Sequence, residues 1–455
     1  MNAQRRFKEF CATFATLLLA ALVCAGCPQP QEDFALEMEL IVADAGLSST
    51  SKVEEGSPFN YPRILVYHDV LQGDAQQQPD LVLSGETIPE LKHPVHMVAL
   101  PYSLFVCDDV YGAVLVWNSL PSLIWGHDAD TAPDVVLDGL GAVGEPVFAI
   151  EDYWEASQKD YEALIVADLS SDAPKDTGGS VHIFKDPSYL HSDQAPDISL
   201  TEPEAPVALV TANKQLIVAD AGMDRVLVYT NLMEILELEK DAVPEIVELS
   251  GASWLGLDEH GSVTPTMVAV YENRLFVTTA SSMLFVFSPA DELQDHQAPD
   301  AVIAGANGGM NVPIAIARIG GRLFVGNAKS PFTWDAEKDG GSKANTIGVV
   351  AFDDLAGLAS GQAPSLVLDS SNAQVPAVRG MFSFSNALVC ATRVAQELEP
   401  IKGTSEAELE LGDIHIFRHA DKMSQGRSAD LVLPALKDFA APLSVEGTFF
   451  IEGMS

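Results

Sequence analysis

A chain of 455 residues with 65 acids against 25 bases carries a formal charge of −40 at neutral pH. Nucleic-acid binding rests on Lys and Arg neutralising phosphates, so a surface this acidic excludes it, and the charge reads as a solubility feature or an adaptation to a salty medium. A length well above the roughly 250–300 residues at which a single core stops growing leaves two options, several domains or a radially repeated fold.

The chain opens on Arg5, Arg6 and Lys8, runs through an apolar stretch from Phe10 to Val23 and reaches CAGC, which ends at Cys27. Basic, apolar and small-residue segments in that order form a secretory signal, and the apolar stretch is short against the ~20 residues of a spanning helix. Its end resembles the lipobox of bacterial lipoproteins. Ala25 and Gly26 fit the two places before an acylated cysteine, while Cys24 departs from the usual Leu or Val. The resemblance implies that residues 1–26 are a signal peptide and that Cys27 carries the lipid. It also implies an exported protein anchored to a membrane, on the periplasmic or cell-surface side of an outer membrane. Residues 27–33 are polar and proline-bearing and read as a flexible tether, so the globular domain is expected over 34–455. Without residues 1–26, which hold three bases and one acid, the net charge is −42.

From residue 40 onward three signatures recur in a fixed order. The first is LIVAD at 40, then LFVCD at 104, LIVAD at 164 and 216, LFVTT at 275, LFVGN at 323 and LVCAT at 388. After a turn comes the second: ILVY at 64, VLVW at 114, VHIF at 181, VLVY at 226, LFVF at 284, GVVAF at 348 and IHIF at 414. The third joins a proline and an acid to an apolar end, as in PDLVL at 79, PDVVL at 133, PDISL at 196, PEIVEL at 244 and PDAVI at 299, with variants PSLVL at 364 and ADLVL at 429. A further proline-led apolar run precedes each new first signature, from PVHMVAL at 94 to PAVRGMF at 376, and a last one, PLSVEGTFF at 442, closes the chain. Runs of four to seven Val, Ile, Leu and Phe bounded by Gly, Asn, Asp or Pro are short buried strands. Four strands per unit and seven units give an all-β, seven-bladed β-propeller with four antiparallel strands per blade. The chain begins on the second strand of a unit and ends on a first strand. Residues 442–453 are therefore expected to supply the missing inner strand of the first blade and close the ring.

The repeated acids are expected to be structural. The Asp that closes LIVAD is Asp44, Asp108, Asp168 and Asp220, replaced later by Thr279, Asn327 and Thr392; it suits a carboxylate that accepts backbone N–H bonds in the turn toward the third strand. The Pro and acid of the outermost strand suit an exposed edge, where a missing N–H is tolerated and charge discourages aggregation. No D-x-[DN]-x-[DN]-G calcium loop is present. Of the five cysteines, Cys11 and Cys24 leave with the signal and Cys27 is acylated, so Cys107 and Cys390 are expected as buried free thiols.

The best-preserved unit, IVADAGMDRVLVY from Ile217 to Tyr229, resembles the NHL-type repeat of six- and seven-bladed propellers. Some propellers of this broad group are lyases, streptogramin lyase and the amidating lyase among them, and the resemblance associates these with histidines and metal near the channel. The one close pair here is His93 and His96. Residues three apart in a strand point to opposite faces and do not easily chelate one metal, although either histidine is free to join Asp108 or Asp109. His68, His127, His182, His191 and His415 occur singly, and no G-x-S-x-G, H-E-x-x-H or phosphate-binding loop organises them. No cofactor is called for.

Function is therefore sought where the units differ. The connections between second and third strands are long in units one, three, six and seven, and units six, seven and one are consecutive in a closed ring. Their insertions build a wall on one face, into which Phe59, Tyr61, Phe332 and Trp334 place aromatic side chains. Two readings follow: a lipid-anchored, non-catalytic scaffold that binds a protein, glycan or small ligand through this face, or a metal-dependent lyase with a His/Asp site at the channel mouth.

Overall fold

The computed structural model describes residues 38–44, 61–73, 77–100, 103–126, 131–138, 140, 143–151, 161–169, 178–237, 244–250, 263–304, 309–328, 347–370, 375, 377–392, 394–396, 409–425, 427–433 and 442–449. They form seven four-stranded antiparallel sheets and one two-stranded hairpin. In blade two the innermost strand is Pro94–Ala99, followed outward by Leu104–Asp108, Ala113–Trp117 and Val135–Leu137; the order a, b, c, d from inside to outside is the same in every blade. The C-terminal strand Pro442–Phe449 pairs antiparallel with Met38–Asp44, Met38 opposite Phe449 and Val42 opposite Val445, and so becomes strand a of blade one. Each inner strand contacts those of both neighbours, Pro442–Phe449 lying between Pro94–Ala99 and Val378–Phe384. The ring is closed as expected.

The core is not one body but seven layers, each between two blades. The b strands explain why their apolar runs do not alternate with polar residues. Leu40 and Val42 pack toward blade seven, with Val389 and Ile416, whereas Ile41 and Ala43 pack toward blade two, with Leu104 and Val106. A radial blade is covered on both sides, so both faces of a strand must be apolar, as in sheets buried on two faces. Cys107 and Cys390 lie in two of these layers as buried free thiols.

The b–c and d–a connections emerge on one face of the ring, and the a–b and c–d connections on the other. On the second face the a–b hairpins turn through pairs with positive φ, Asn213–Lys214 and Glu272–Asn273, as the right-handed twist of the flanking strands requires. Short helical turns fill the c–d connections, including Leu120–Gly126 and Leu232–Glu237. Arginines there tie consecutive blades: Arg274 donates to the carbonyls of Leu355 and Ala356, Arg322 to those of Ala420 and Met423, and Arg418 to that of Gly73.

The outer edge differs from the sequence expectation. A middle residue of strand d turns its outward N–H and C=O to the c–d loop of the following blade. Val136 is held by Ser192 and Asp193, Glu248 by Asp295 and His296, Val302 by Ser360 and Gly361, and Val367 by both ends of the Gln425 amide. These edges are covered rather than merely charged, which is a more direct protection against strand addition. The acid ahead of strand d stays exposed but is also a clamp. Asp80, Asp134, Asp300 and Asp430 each accept the N–H of the residue that follows strand c, namely His68, Asn118, Ser288 and Arg418, and Asp197 accepts that of Lys185, the last residue of its strand c.

Candidate binding face

On the b–c face the Thr279 and Thr392 hydroxyls of blades five and seven accept the N–H groups of Met283 and Asp413 across the b–c connection, as expected. Blades two, four and six share one local construction that adds to the expected role of the LIVAD aspartate. The carboxylate reaches chiefly back to the segment that enters strand a. Asp108 Oδ2 accepts the N–H groups of Lys92 and His93 at 2.5 and 2.6 Å, while Oδ1 accepts that of Tyr111 in the b–c turn at 2.8 Å. Asp220 Oδ1 accepts from Glu204 and Ala205 at 3.1 and 2.8 Å, and Asn327 accepts from Asn311 in the same manner. The next residue along completes the clamp by donating to the carbonyl just before strand a: Asp109 to His93, Ala221 to Ala205, Ala280 to Thr264, Ala328 to Val312. Strand a then starts on proline in blades two, four, five and six, opposite the clamp residue, with a bulge immediately after it. Proline supplies no N–H, so the first ladder position opposite the clamp loses nothing. Where an arginine lies beside the acid the clamp becomes an ion pair: Arg63 Nη2 lies 2.7 Å from Asp44, and Arg225 Nε lies 2.9 Å from Asp220 with Nη1 at 3.0 Å from Glu248. The two carboxylates beside it raise the Arg225 pKa against its burial.

These clamps spend the donors that a metal site would need. Both Asp108 oxygens are engaged by backbone N–H groups. His93 Nδ1 sits 2.7 Å from Asp109 Oδ1 as a partly exposed pair. His96 stands opposite Cys107 in the register, on the side that packs toward blade three, and its Nδ1 has no hydrogen-bond partner. Among the described residues no group of three or more His, Cys, Asp or Glu is arranged to hold a metal ion. The remaining single histidines are dispersed: His68 pairs with Glu39, His182 Nε2 with Asp168 at 3.2 Å, His191 with its own loop, and His415 is buried between blades six and seven beside Cys390. His127 lies outside the described residues.

Burial pulls the His96 pKa down to about 4 and lowers that of His415, where Asp413 opposes the shift. The His96 ring is therefore neutral in the fold at neutral pH and must take up a proton on unfolding once the pH passes below ~6.5. The sign is a loss of stability as pH falls from about 6.5 toward 4. His96 alone accounts for roughly 2 kcal/mol between pH 7 and pH 5. Urea unfolding of His96→Leu at both pH values is expected to show a pH dependence smaller by about that amount; an unchanged pH dependence would contradict the assignment.

Of the aromatic residues expected to line the face, Tyr61 is half-buried at the entry to strand c of blade one, and Phe59, Phe332 and Trp334 lie outside the described residues, as does Cys27. The structure adds three residues that sequence reading missed. Val110 is 69% exposed and Tyr111 41% exposed in the short b–c turn of blade two, and Met223 is 54% exposed in that of blade four. The signal was present, since DDVYG and DAGMD place large apolar or aromatic residues where a tight turn favours Gly, Asn or Ser. The b–c connection of blade seven also carries a hairpin, Val394–Gln396 paired with Leu409–Leu411, which extends that blade toward the same face. Tyr189, 76% exposed, belongs to the c–d connection of blade three and hence to the opposite face.

No protein-family model matches the chain, and no curated protein matches it in sequence. Solved structures similar to it include the computationally designed Ika8 protein, at 14% identity and a TM-score of 0.39, covering 73% of this chain and 77% of that one. Raptor from Chaetomium thermophilum is similar at 10% identity and a TM-score of 0.44; the match covers 78% of this chain and 24% of Raptor, so this chain spans about a quarter of Raptor's length. A KlHsv2 variant with loop 6CD replaced by a Gly-Ser linker is similar at 10% identity and a TM-score of 0.41, covering 74% and 89%. The seven-bladed architecture itself rests on the seven sheets and their closure.

Proposed function

We propose that the chain is an exported, lipid-anchored propeller of NHL-like repeats that acts as a non-catalytic binding scaffold through its b–c face. The observation that carries this reading is the concentration of accessible apolar side chains on that face. Val110, Tyr111 and Met223 occupy turns that needed no large residue, on the face from which the long connections of blades one, three, six and seven also leave. Binding residues belong on loops held by a rigid scaffold, and the clamps described above hold these turns from below. Among the described residues three of the four exposed large hydrophobic side chains lie on this face, and Tyr189 on the other. The lyase alternative lacks comparable support, because Asp108 is committed to three backbone N–H groups and His93 to Asp109. Anchoring at Cys27, which follows from the lipobox-like segment, leaves the ring on a short tether outside the membrane.

The test is face-selective photo-crosslinking in cells that export the full chain. A crosslinking side chain at position 111 or 223 is expected to trap a partner that the same group at position 189 does not. Trapping from 189 alone would overturn the choice of face. In the same cells Cys27→Ser is expected to move the protein out of the membrane fraction, and its retention there would remove the lipid anchor from the reading.

A further inference from the structure

Directly opposite residues of an antiparallel ladder share one face of the sheet, so every blade carries rows of neighbouring side chains that run from strand a across b to c. One row of blade seven joins Met381 of Val378–Phe384, Cys390 of Ala387–Thr392 and His415 of Ile414–Phe417, Met381 standing opposite Cys390 and Cys390 opposite His415. In blades one, two, four, five and six the same row is wholly apolar, as in Leu209, Val218 and Leu227 of blade four or Ile316, Val325 and Val350 of blade six. Blade three has His182 there, but beside Val166 and already paired with Asp168 and Ser199. Among the described residues only the row of blade seven sets a thioether, a thiol and an imidazole in line. The other described thiol, Cys107, stands between His96 and Val114 and has no thioether in its row.

The row faces the layer between blades six and seven. Cys390 and Phe417, which lies two residues beyond His415 and so on its face, belong to the cluster that includes Ala317 and Leu366 of blade six, and Met381 packs against that cluster. Cys390 is fully buried and His415 is 2% exposed, yet neither nitrogen of the His415 ring has a hydrogen-bond partner. Buried polar groups are nearly always paired, so two orphan nitrogens on one enclosed ring require a reason. The residue directly across the ladder from that ring is the Cys390 thiol.

We propose that Met381, Cys390 and His415 bind one soft monovalent cation, Cu(I), in the layer between blades six and seven. Thiolate and thioether sulfurs select Cu(I) among the common metals, and imidazole suits it as well. Charge points the same way. Cys390 gives its thiol proton to solvent as it takes the ion, so one positive charge replaces another, and a complex of one thiolate with two neutral donors is neutral overall. An apolar layer accommodates that product, whereas Zn(II) in the same three ligands leaves a net buried charge. Met381 stands on the innermost strand and is partly accessible, which supplies a path of entry to the two buried donors behind it. The site uses none of the residues assigned to the b–c face and stands apart from that reading.

The probe is Cu(I), held reduced by ascorbate without oxygen and titrated into the full chain against the coloured chelator bicinchoninate. The other blades supply variants suited to the fold, since Cys390→Val, Met381→Leu and His415→Leu each install a residue that this row carries elsewhere, as in blade four. Cys390→Val is expected to hold one Cu(I) fewer than the native chain, a difference from which any ion on the CAGC thiols cancels. Met381→Leu and His415→Leu are expected to keep that ion about tenfold or more weaker, because a direct ligand matters at least as much as an outer partner. They provide the reading should Cys390→Val fail to fold. Cys107→Val is expected to bind as the native chain does, and Cu(I) should raise the melting temperature of the native chain but not of Cys390→Val. Equal copper content in the native chain and Cys390→Val, native affinity in either leucine variant, or displacement of the ion by equimolar Zn(II) would each overturn the proposal.

Discussion

Removal of the last fifteen residues, 441–455, is expected to unfold the ring rather than trim it. The deleted segment contains Pro442–Phe449, whose register runs from Met38 opposite Phe449 to Asp44 opposite Pro442. Without it the b strand of blade one becomes an unpaired inner edge, and Leu40, Ile41, Val42 and Ala43, all fully buried, lose their inner neighbour. The damage extends to both adjacent blades, because this strand also packs against the inner strands of blades two and seven. A row of ladder hydrogen bonds at about 1 kcal/mol each, together with two opened seams, is comparable with the whole stability of a typical domain, ~5–15 kcal/mol. The truncated chain should show no cooperative melting transition, or one tens of degrees lower. A truncated chain that melts with the intact one would contradict closure through this strand.

Asp220→Ala is expected to cost about 3–5 kcal/mol, the range for breaking a buried, hydrogen-bonded charge pair. The substitution strands the N–H groups of Glu204 and Ala205 and removes one of the two carboxylates that hold Arg225. Asp220→Asn keeps an oxygen for the two N–H groups but loses the charge facing Arg225, so its cost should be intermediate. The other repeated acid behaves differently. Asp134 is exposed and accepts a single N–H, from Asn118 at 2.7 Å, so Asp134→Ala is expected to cost no more than about 1 kcal/mol. Equilibrium urea unfolding of the three variants measures the order directly. Equal losses at 220 and 134 would mean that the LIVAD acid is not the clamp on which the blade is built.

Most of the fold was legible because its determinants are local and repeated seven times. The unbroken apolar run of LIVAD requires cover on both faces, and the prolines at 94, 206, 265 and 313 announce a strand start with no N–H to give. The displaced final run at 442 announced the closure. What the sequence left out lies between blades. That Asp220 reaches back to Glu204 and Ala205, rather than mainly forward, depends on the bulge after Pro206, which no propensity records. The cover on the outer edges joins residues from successive units, Gln425 to Val367 and Ser360 to Val302. A trace of that cover was readable: QAPD at 194 and 297 and QAPS at 362 repeat a glutamine whose side-chain oxygen accepts an N–H three residues earlier, at His191, Gln294 and Ala359. The candidate face was legible as a location, from the long b–c connections, but its accessible side chains at 110, 111 and 223 lie in the short turns that length alone passes over.

Hydrogen exchange on the intact full-length chain tests the closed ring most directly, because it needs no substitution. Amides of 442–449 are expected to exchange as slowly as those of 38–44 and 387–392, within one cooperative unit that opens only on global unfolding. Exchange of 442–449 at the rate of an unprotected peptide, with the seven blades otherwise protected, would contradict the ring as described.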